Sequence, residues 1–226
     1  MAEGVVDIES VSRIQEDMIF IWVRLFNLYD WFRNLFKYYL WHPKFALVDS
    51  LLLLRYFFKS PYRIARTLYP ESGPYGETPF HVMDTILTHI TGSKVLEIGC
   101  GRGRLAFWLQ MVRGFHVTGI DINELFIERA RVVASKFNVP IVFGTSLKPS
   151  DLAAADLIYM FILHLSDDEL KNLAHSFMKT RAVIVTISFW FGELVPEAFQ
   201  LLGTCEVHFP WGKATAYFSC ANAPSS

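Results

Sequence analysis

The sequence predicts an α/β protein with a doubly wound, mostly parallel seven-stranded sheet, closed by a C-terminal antiparallel hairpin and preceded by a helical N-terminal extension. Three observations carry this reading. After Gly92, short β-branched apolar runs alternate with segments of helical periodicity, the pattern of βαβ units. The last apolar stretch, 205–220, holds two runs around Pro210-Trp211-Gly212-Lys213 and reads as a hairpin. Before Tyr69, apolar residues recur every three or four positions and strand alternation is absent.

Each element follows from local pattern. Ile14, Met18, Trp22, Leu25, Tyr29, Phe32, Leu35 and Tyr39 share one face of a long helix, with Arg13, Asp17, Arg24 and Asn27 largely opposite. Pro43 opens a second helix carrying Phe45, Leu51, Leu54 and Phe58, and Ser60-Pro61 supplies the N-cap and first position of a short third. Pro and Gly concentrate over 68–79 as a loop or hinge, and Thr78-Pro79 caps a helix over 80–90. Strands are expected over 94–99, 116–121, 140–144, 156–162 and 182–189, with helices over 104–112, 124–137 and 167–179. The division falls into an extension or lid, 1–78, and a sheet domain, 79–226.

Composition narrows the function classes. With 226 residues, 52% hydrophobic and 19% charged, the chain has ample material for a packed core and is not disordered. A net charge of −1 provides no global field to gather nucleic acid. Cys100, Cys205 and Cys220 form no Cys-x-x-Cys pair, so neither a disulfide framework nor a metal site is expected. The acidic start lacks the basic, then apolar, pattern of a signal peptide, and charges interrupt every run that approaches the roughly 18 to 20 residues of a membrane span. The expected setting is cytoplasmic.

The chemistry concentrates at Glu97-Ile98-Gly99-Cys100-Gly101-Arg102-Gly103, where the first strand ends and a helix begins. Glycines let the backbone turn sharply and approach a ligand, and this end of a parallel strand is where doubly wound sheets bind nucleotides. Asp121 closes the second strand, where a carboxylate can accept hydrogen bonds from ribose hydroxyls. The stretch 101–106 also satisfies the dinucleotide pattern G-x-G-x-x-A, so NAD competes for the site. Glu97 weighs against it, because a pyrophosphate gains nothing from a carboxylate there whereas an ammonium-bearing ligand is attracted to one.

VLEIGCGRGRLAFWL followed by VTGIDI resembles motif I and the next acidic motif of the class I S-adenosylmethionine-dependent methyltransferases, over roughly 92–220. The resemblance implies S-adenosyl-L-methionine as cofactor, S-adenosyl-L-homocysteine as product, and a methyl acceptor it does not name. It implies that Glu97 and the backbone of Gly99, Cys100, Gly101 and Gly103 hold the methionine portion, Asp121 the ribose, and Ile122 the adenine. Thr145, or a backbone group beside it, takes the adenine-reading position after the third strand, and the fourth-strand segment places Met160 to His164 beside the reactive methyl. No Asn/Asp-Pro-Pro-Tyr follows that strand, unlike the exocyclic base-amine methyltransferases.

His164 is the leading general base, with a structural or capping role as its rival; Glu77 and His81 are further candidates. Tyr75-Gly76-Glu77-Thr78-Pro79 is similar to the entrance segment of some class I protein-lysine methyltransferases, which makes protein lysine one acceptor and a small or hydrophobic molecule the other. Cys100 reads as a small loop residue rather than a nucleophile, and Arg102 and Arg104 as facing solvent or the cofactor carboxylate. The aromatic, basic N-terminal helices suit core packing, a subunit contact or a membrane surface. A catalytically inactive binding module on the same fold is the alternative function.

Overall fold

The computed structural model describes residue 25 and residues 28–58, 60–68, 76–162, 165–210 and 212–222. The expected helix before residue 25, the hinge over 69–75, His164 and the hairpin residue Trp211 lie outside the described residues.

A helix over 28–34 continues as a π-helical turn, Leu35–Tyr39 (together α1). Helices α2 (Pro43–Arg55), α3 (Pro61–Leu68) and α4 (Phe80–Leu87) follow. The core alternates β1 (Lys94–Ile98), α5 (Arg104–Met111), β2 (His116–Ile120), α6 (Glu124–Phe137), β3 (Val142–Gly144), α7 (Pro149–Ala154), β4 (Leu157–Met160), α8 (Asp167–Phe177) and β5 (Val183–Ile187). The short α9 (Phe191–Leu194) then leads into β6 (Phe199–Phe209) and β7 (Gly212–Ala221). Strand order is β3-β2-β1-β4-β5-β7-β6, parallel throughout except for β7 against both neighbours. The order reverses between β1 and β4, the position where such sheets open a ligand crevice.

The apolar runs explain the layering. β4 and the last four residues of β1 are buried without interruption because helices cover both faces of the sheet. Val95 and Tyr159 face one apolar layer, shared with α1, α2, α4, α5 and α6. Leu96, Ile98, Ile158 and Met160 face the other, against α8 and α9. Tyr38, Phe45 and Leu52 belong to the first layer, so the N-terminal helices share the core of the sheet rather than standing apart from it. Phe80 stacks on Trp108 at 5.4 Å between ring centroids, with Tyr38 edge-on to both.

Several boundaries depart from the sequence expectation. The hairpin begins at Phe199, six residues before the expected Cys205, and carries a register shift between Leu201 and Gly203 that breaks its alternation. β3 is only three residues long, and β4 stops at Met160, releasing Phe161 and Ile162 from the sheet. α7 was hidden because its six residues are too few to show a period. Ser60 does cap α3, accepting from the Arg63 amide at 3.4 Å. Thr78 does not cap α4: the N-cap is Pro79, and the Thr78 hydroxyl bonds the Tyr159 hydroxyl at 2.6 Å.

Candidate functional site

Parallel register sets Glu97 of β1 opposite Tyr159 of β4, and both side chains point to the same face. Beyond Glu97 the chain turns through the glycine loop, anchored where the amides of Gly99 and Cys100 donate to the Ile120 carbonyl at 2.8 and 3.0 Å. Gly103 closes the loop at φ +79°, and a Cβ there would stand 2.9 Å from the Phe143 ring. Gly103→Ala is therefore expected to cost about 2 kcal/mol or more, from left-handed strain and crowding together, read as a lower urea midpoint.

These elements enclose a cavity of about 20 Å³ between Glu97, Gly99, Cys100, Leu105, Tyr159 and Phe161, roofed by Gly76, Glu77 and Thr78. That is room for one water molecule. Glu97 is 5% exposed, and its Oε2 has no hydrogen-bond partner among the described residues. Burial, then the neighbouring carboxylates of Asp121 and Glu77, push its pKa well above the usual carboxylate range. A buried carboxyl with one oxygen unpartnered is costly unless something positive meets it. The chemistry of the cradle thus fits an ammonium group, and two carboxylates lining one cavity, Glu97 and Glu77, do not fit a pyrophosphate.

Asp121 stands just past β2, its Oδ2 accepting from the Gly101 amide at 2.7 Å and its Oδ1 from the Asn123 amide at 2.8 Å. It pins the glycine loop, and a carboxylate has lone pairs to spare for further donors. Ile122 follows it, 55% exposed at the lip of the crevice. Thr145 lies exposed just after β3, at the same sheet end, beside Gly144, whose carbonyl accepts from the Asp121 amide at 3.1 Å. Cys100 lines the cavity as a thiol: burial, then the Glu97 and Asp121 charges, raise its pKa well above the usual value, which disfavours a nucleophilic thiolate.

Other expected residues take different places. Met160 is fully buried, but it packs with Ile98 and Ile158 on the opposite face of the sheet; Tyr159 and Phe161 line the cavity instead. The one-residue parity of a strand decides this, since Glu97 and its partner Tyr159 share a face that Met160 cannot. Glu77 is held by Arg102 through both carboxylate oxygens, the Nη2 bond measuring 2.6 Å. That ion pair engages both Glu77 oxygens in this arrangement. His81 lies outside the cavity, its Nε2 3.0 Å from the His208 carbonyl and its Nδ1 against Arg33; burial and Arg33 lower its pKa.

The two loop arginines also differ from expectation. Arg102 is 1% exposed and faces Glu77, with the Tyr56 ring 5.8 Å away. Arg104, buried at the start of α5, lines the cavity, but its guanidinium is taken up by acids of α1 and α2. Its Nε donates to Asp49 Oδ1 at 2.7 Å, its Nη2 to Asp49 Oδ2 at 3.0 Å, and its Nη1 to Asp30 Oδ2 at 2.8 Å. Tyr39 donates to Asp49, Asn34 donates to Asp30 at 3.0 Å, and the Phe80 ring lies 4.4 Å from the guanidinium. Sequence reading missed Tyr159 and this network, whereas Phe161 falls within the segment 160–164 expected beside the methyl. Strand parity could have found Tyr159; nothing local marks the partners of Arg104. No group of three or more His, Cys, Asp or Glu is placed to hold a metal among the described residues.

Comparisons with known proteins agree with this geometry. Residues 95–180 match the family model described as a methyltransferase domain. Among curated proteins, an S-adenosyl-L-methionine-dependent Diels-Alderase of Talaromyces variabilis is 47% identical over 49 residues, which is 22% of this chain and 16% of that protein. A sterol 24-C-methyltransferase of Gibberella zeae is 47% identical over 45 residues, 20% of this chain and 12% of that protein. The aligned stretches thus span less than a fifth of those relatives. Among solved structures, one from work on conversion of a disulfide bond into a thioacetal group in echinomycin biosynthesis aligns with a TM-score of 0.55 and 17% identity, over 79% of this chain and 94% of that one. Magnesium protoporphyrin IX methyltransferase from Synechocystis PCC 6803 aligns with a TM-score of 0.50 and 15% identity, over 75% and 94%. Those identities speak for the fold alone. Residues 95–180, well under half of the chain, thus match a methyltransferase domain, and the sheet order and glycine loop are those of a class I methyltransferase fold.

Proposed function

We propose that the chain is an S-adenosylmethionine-dependent methyltransferase acting on a small hydrophobic acceptor. The observation that carries the cofactor is the buried Glu97 carboxyl, whose Oε2 lacks a partner and which faces the cavity beside the glycine loop. When bound, the cofactor supplies a sulfonium methyl for in-line displacement by the acceptor nucleophile. Glu97 holds the ammonium, the loop from Gly99 to Gly103 admits close backbone approach, and Asp121 orients the ribose hydroxyls. Phe161, packed against Phe209 with ring centroids 5.0 Å apart and planes tilted by 31°, adds an apolar wall beside the cavity. That aromatic wall, with the names of the two curated relatives, favours a hydrophobic acceptor over protein lysine.

Room for one water is too little for a methionine moiety, so ligand uptake requires the Glu77–Arg102 bridge over the cavity to open. The same confinement is the observation behind the rival reading, an inactive module on a methyltransferase fold.

Calorimetric titration with S-adenosylmethionine, S-adenosylhomocysteine and NAD separates the two. The expected result is binding of both sulfur ligands and not NAD, followed by transfer of labelled methyl to hydrophobic acceptors rather than to peptides. Binding of none supports the inactive module. Asp121→Asn keeps one acceptor oxygen for the loop amides yet removes the charge, so it is expected to weaken cofactor binding about tenfold with the fold intact by circular dichroism.

A further inference from the structure

The outer face of the N-terminal helices is left over by everything described so far. α1 and α2 run side by side, joined through Trp31, whose indole lies 3.4 Å from the Ser50 hydroxyl and whose ring packs on Tyr39. Each turns one face to the sheet domain: Asp30, Asn34 and Tyr38 from α1, and Phe45, Val48, Asp49 and Leu52 from α2. Three- and four-residue spacing then directs Phe32 and Phe36 of α1, Leu40 just past it, and Leu47 and Leu54 of α2 outward on the far side of the same layer. Phe36 is 73% exposed, Trp41 at the connecting turn 77%, and Phe58 just past α2 87%. Single exposed apolar side chains are ordinary, but a two-helix face of Phe, Leu and Trp is not.

The sequence of this region is basic. Over 28–68 the sequence holds Arg33, Lys37, Lys44, Arg55, Lys59, Arg63 and Arg66 against Asp30 and Asp49 alone, a surplus of five in a chain whose net charge is −1. Both aspartates are buried on Arg104; Arg33 also reaches Asp30 at 3.6 Å and Lys37 pairs with Asp84 at 2.7 Å, which still leaves a positive surplus. A second copy docked face to face would bring two basic rims together, whereas an anionic headgroup layer complements the rim and accepts the apolar side chains below it. No helix among the described residues is long and apolar enough to cross a membrane, so the contact lies in the plane of the surface.

We propose that the outer face of α1 and α2 docks on an anionic lipid surface, with Phe36, Trp41 and Phe58 inserting at headgroup depth and the basic residues pairing with lipid phosphates.

The test is co-sedimentation of the full chain with vesicles of phosphatidylcholine alone or with about 30 mol% phosphatidylserine, with tryptophan emission recorded in parallel. The expected result is binding at least about tenfold stronger to the anionic vesicles, weakened by salt, with a blue-shifted emission. The triple variant Phe36→Ser, Trp41→Ser, Phe58→Ser changes only exposed side chains. It is expected to lose vesicle binding while keeping its circular dichroism and its melting temperature. Three outcomes overturn the proposal: no sedimentation with anionic vesicles, binding that the triple variant leaves unchanged, or a dimer by light scattering that the triple variant dissolves while vesicles bind nothing.

Discussion

Arg104→Ala is expected to destabilise the protein by about 3–5 kcal/mol, the largest effect of any single change considered for this chain. The guanidinium is the common partner of Asp49 and Asp30, which are 0% and 1% exposed, and its removal leaves, among the described residues, Asp49 in an apolar layer without a cation and Asp30 with only Arg33, 3.6 Å from its Oδ1. Urea denaturation at neutral pH measures the loss. Because a buried pair gains little over well-packed apolar groups, the triple variant Asp30→Leu, Asp49→Leu, Arg104→Met is expected to recover much of it. An Arg104→Ala protein as stable as the parent would show that the network does not hold α1 and α2 in place. The pH dependence has a definite sign. Burial alone would raise the Asp49 pKa, but the charge and hydrogen bonds of Arg104 outweigh it and set the folded value below the ordinary one. The stabilisation is therefore complete above about pH 4 and is lost as pH falls through the depressed folded value.

Glu97→Gln is expected to weaken S-adenosylmethionine binding about 10- to 100-fold, the range for loss of a charge-assisted hydrogen bond. It is also expected to change a proton count. Glu97 has a folded pKa above its unfolded value, so between the two the folded apo protein holds a proton that the unfolded chain has released. Apo stability consequently falls as pH rises through that window, and the Gln variant lacks this slope. Binding an ammonium to the carboxylate expels the proton, so affinity rises with pH up to the folded pKa. Calorimetry in buffers of different ionisation enthalpy should detect proton release in the parent and none in Glu97→Gln. Equal affinity in the two proteins would remove Glu97 from the site.

What the sequence disclosed and what it concealed divide along the range of the interactions. Glu97, the glycine loop and Asp121 lie within one βα unit, and their spacing alone brought them to one sheet end. The alternation of strands and helices was equally local, and the sheet order follows it. Met160 was carried into the site by its nearness along β4, yet the pleat turns it to the far face and offers Tyr159 instead. Thr78 beside Pro79 has the form of a helix cap, but the nearby Tyr159 hydroxyl is the partner it takes. Arg104 read as a residue for solvent or cofactor because its partners lie 55 and 74 positions earlier, beyond the reach of any periodicity.

That long separation bears on how the chain is made. During synthesis, Asp30 and Asp49 leave the ribosome well before Arg104, and until it follows them they are carboxylates that water solvates better than any partially formed core. α1 and α2 therefore cannot complete their packing early, however strong their helical character. Their final docking coincides with formation of the helix that begins immediately after Gly103. The outer helical layer and the glycine loop then mature as one cooperative unit, and amides in α1, α2 and α5 should share a single opening free energy in native-state hydrogen exchange.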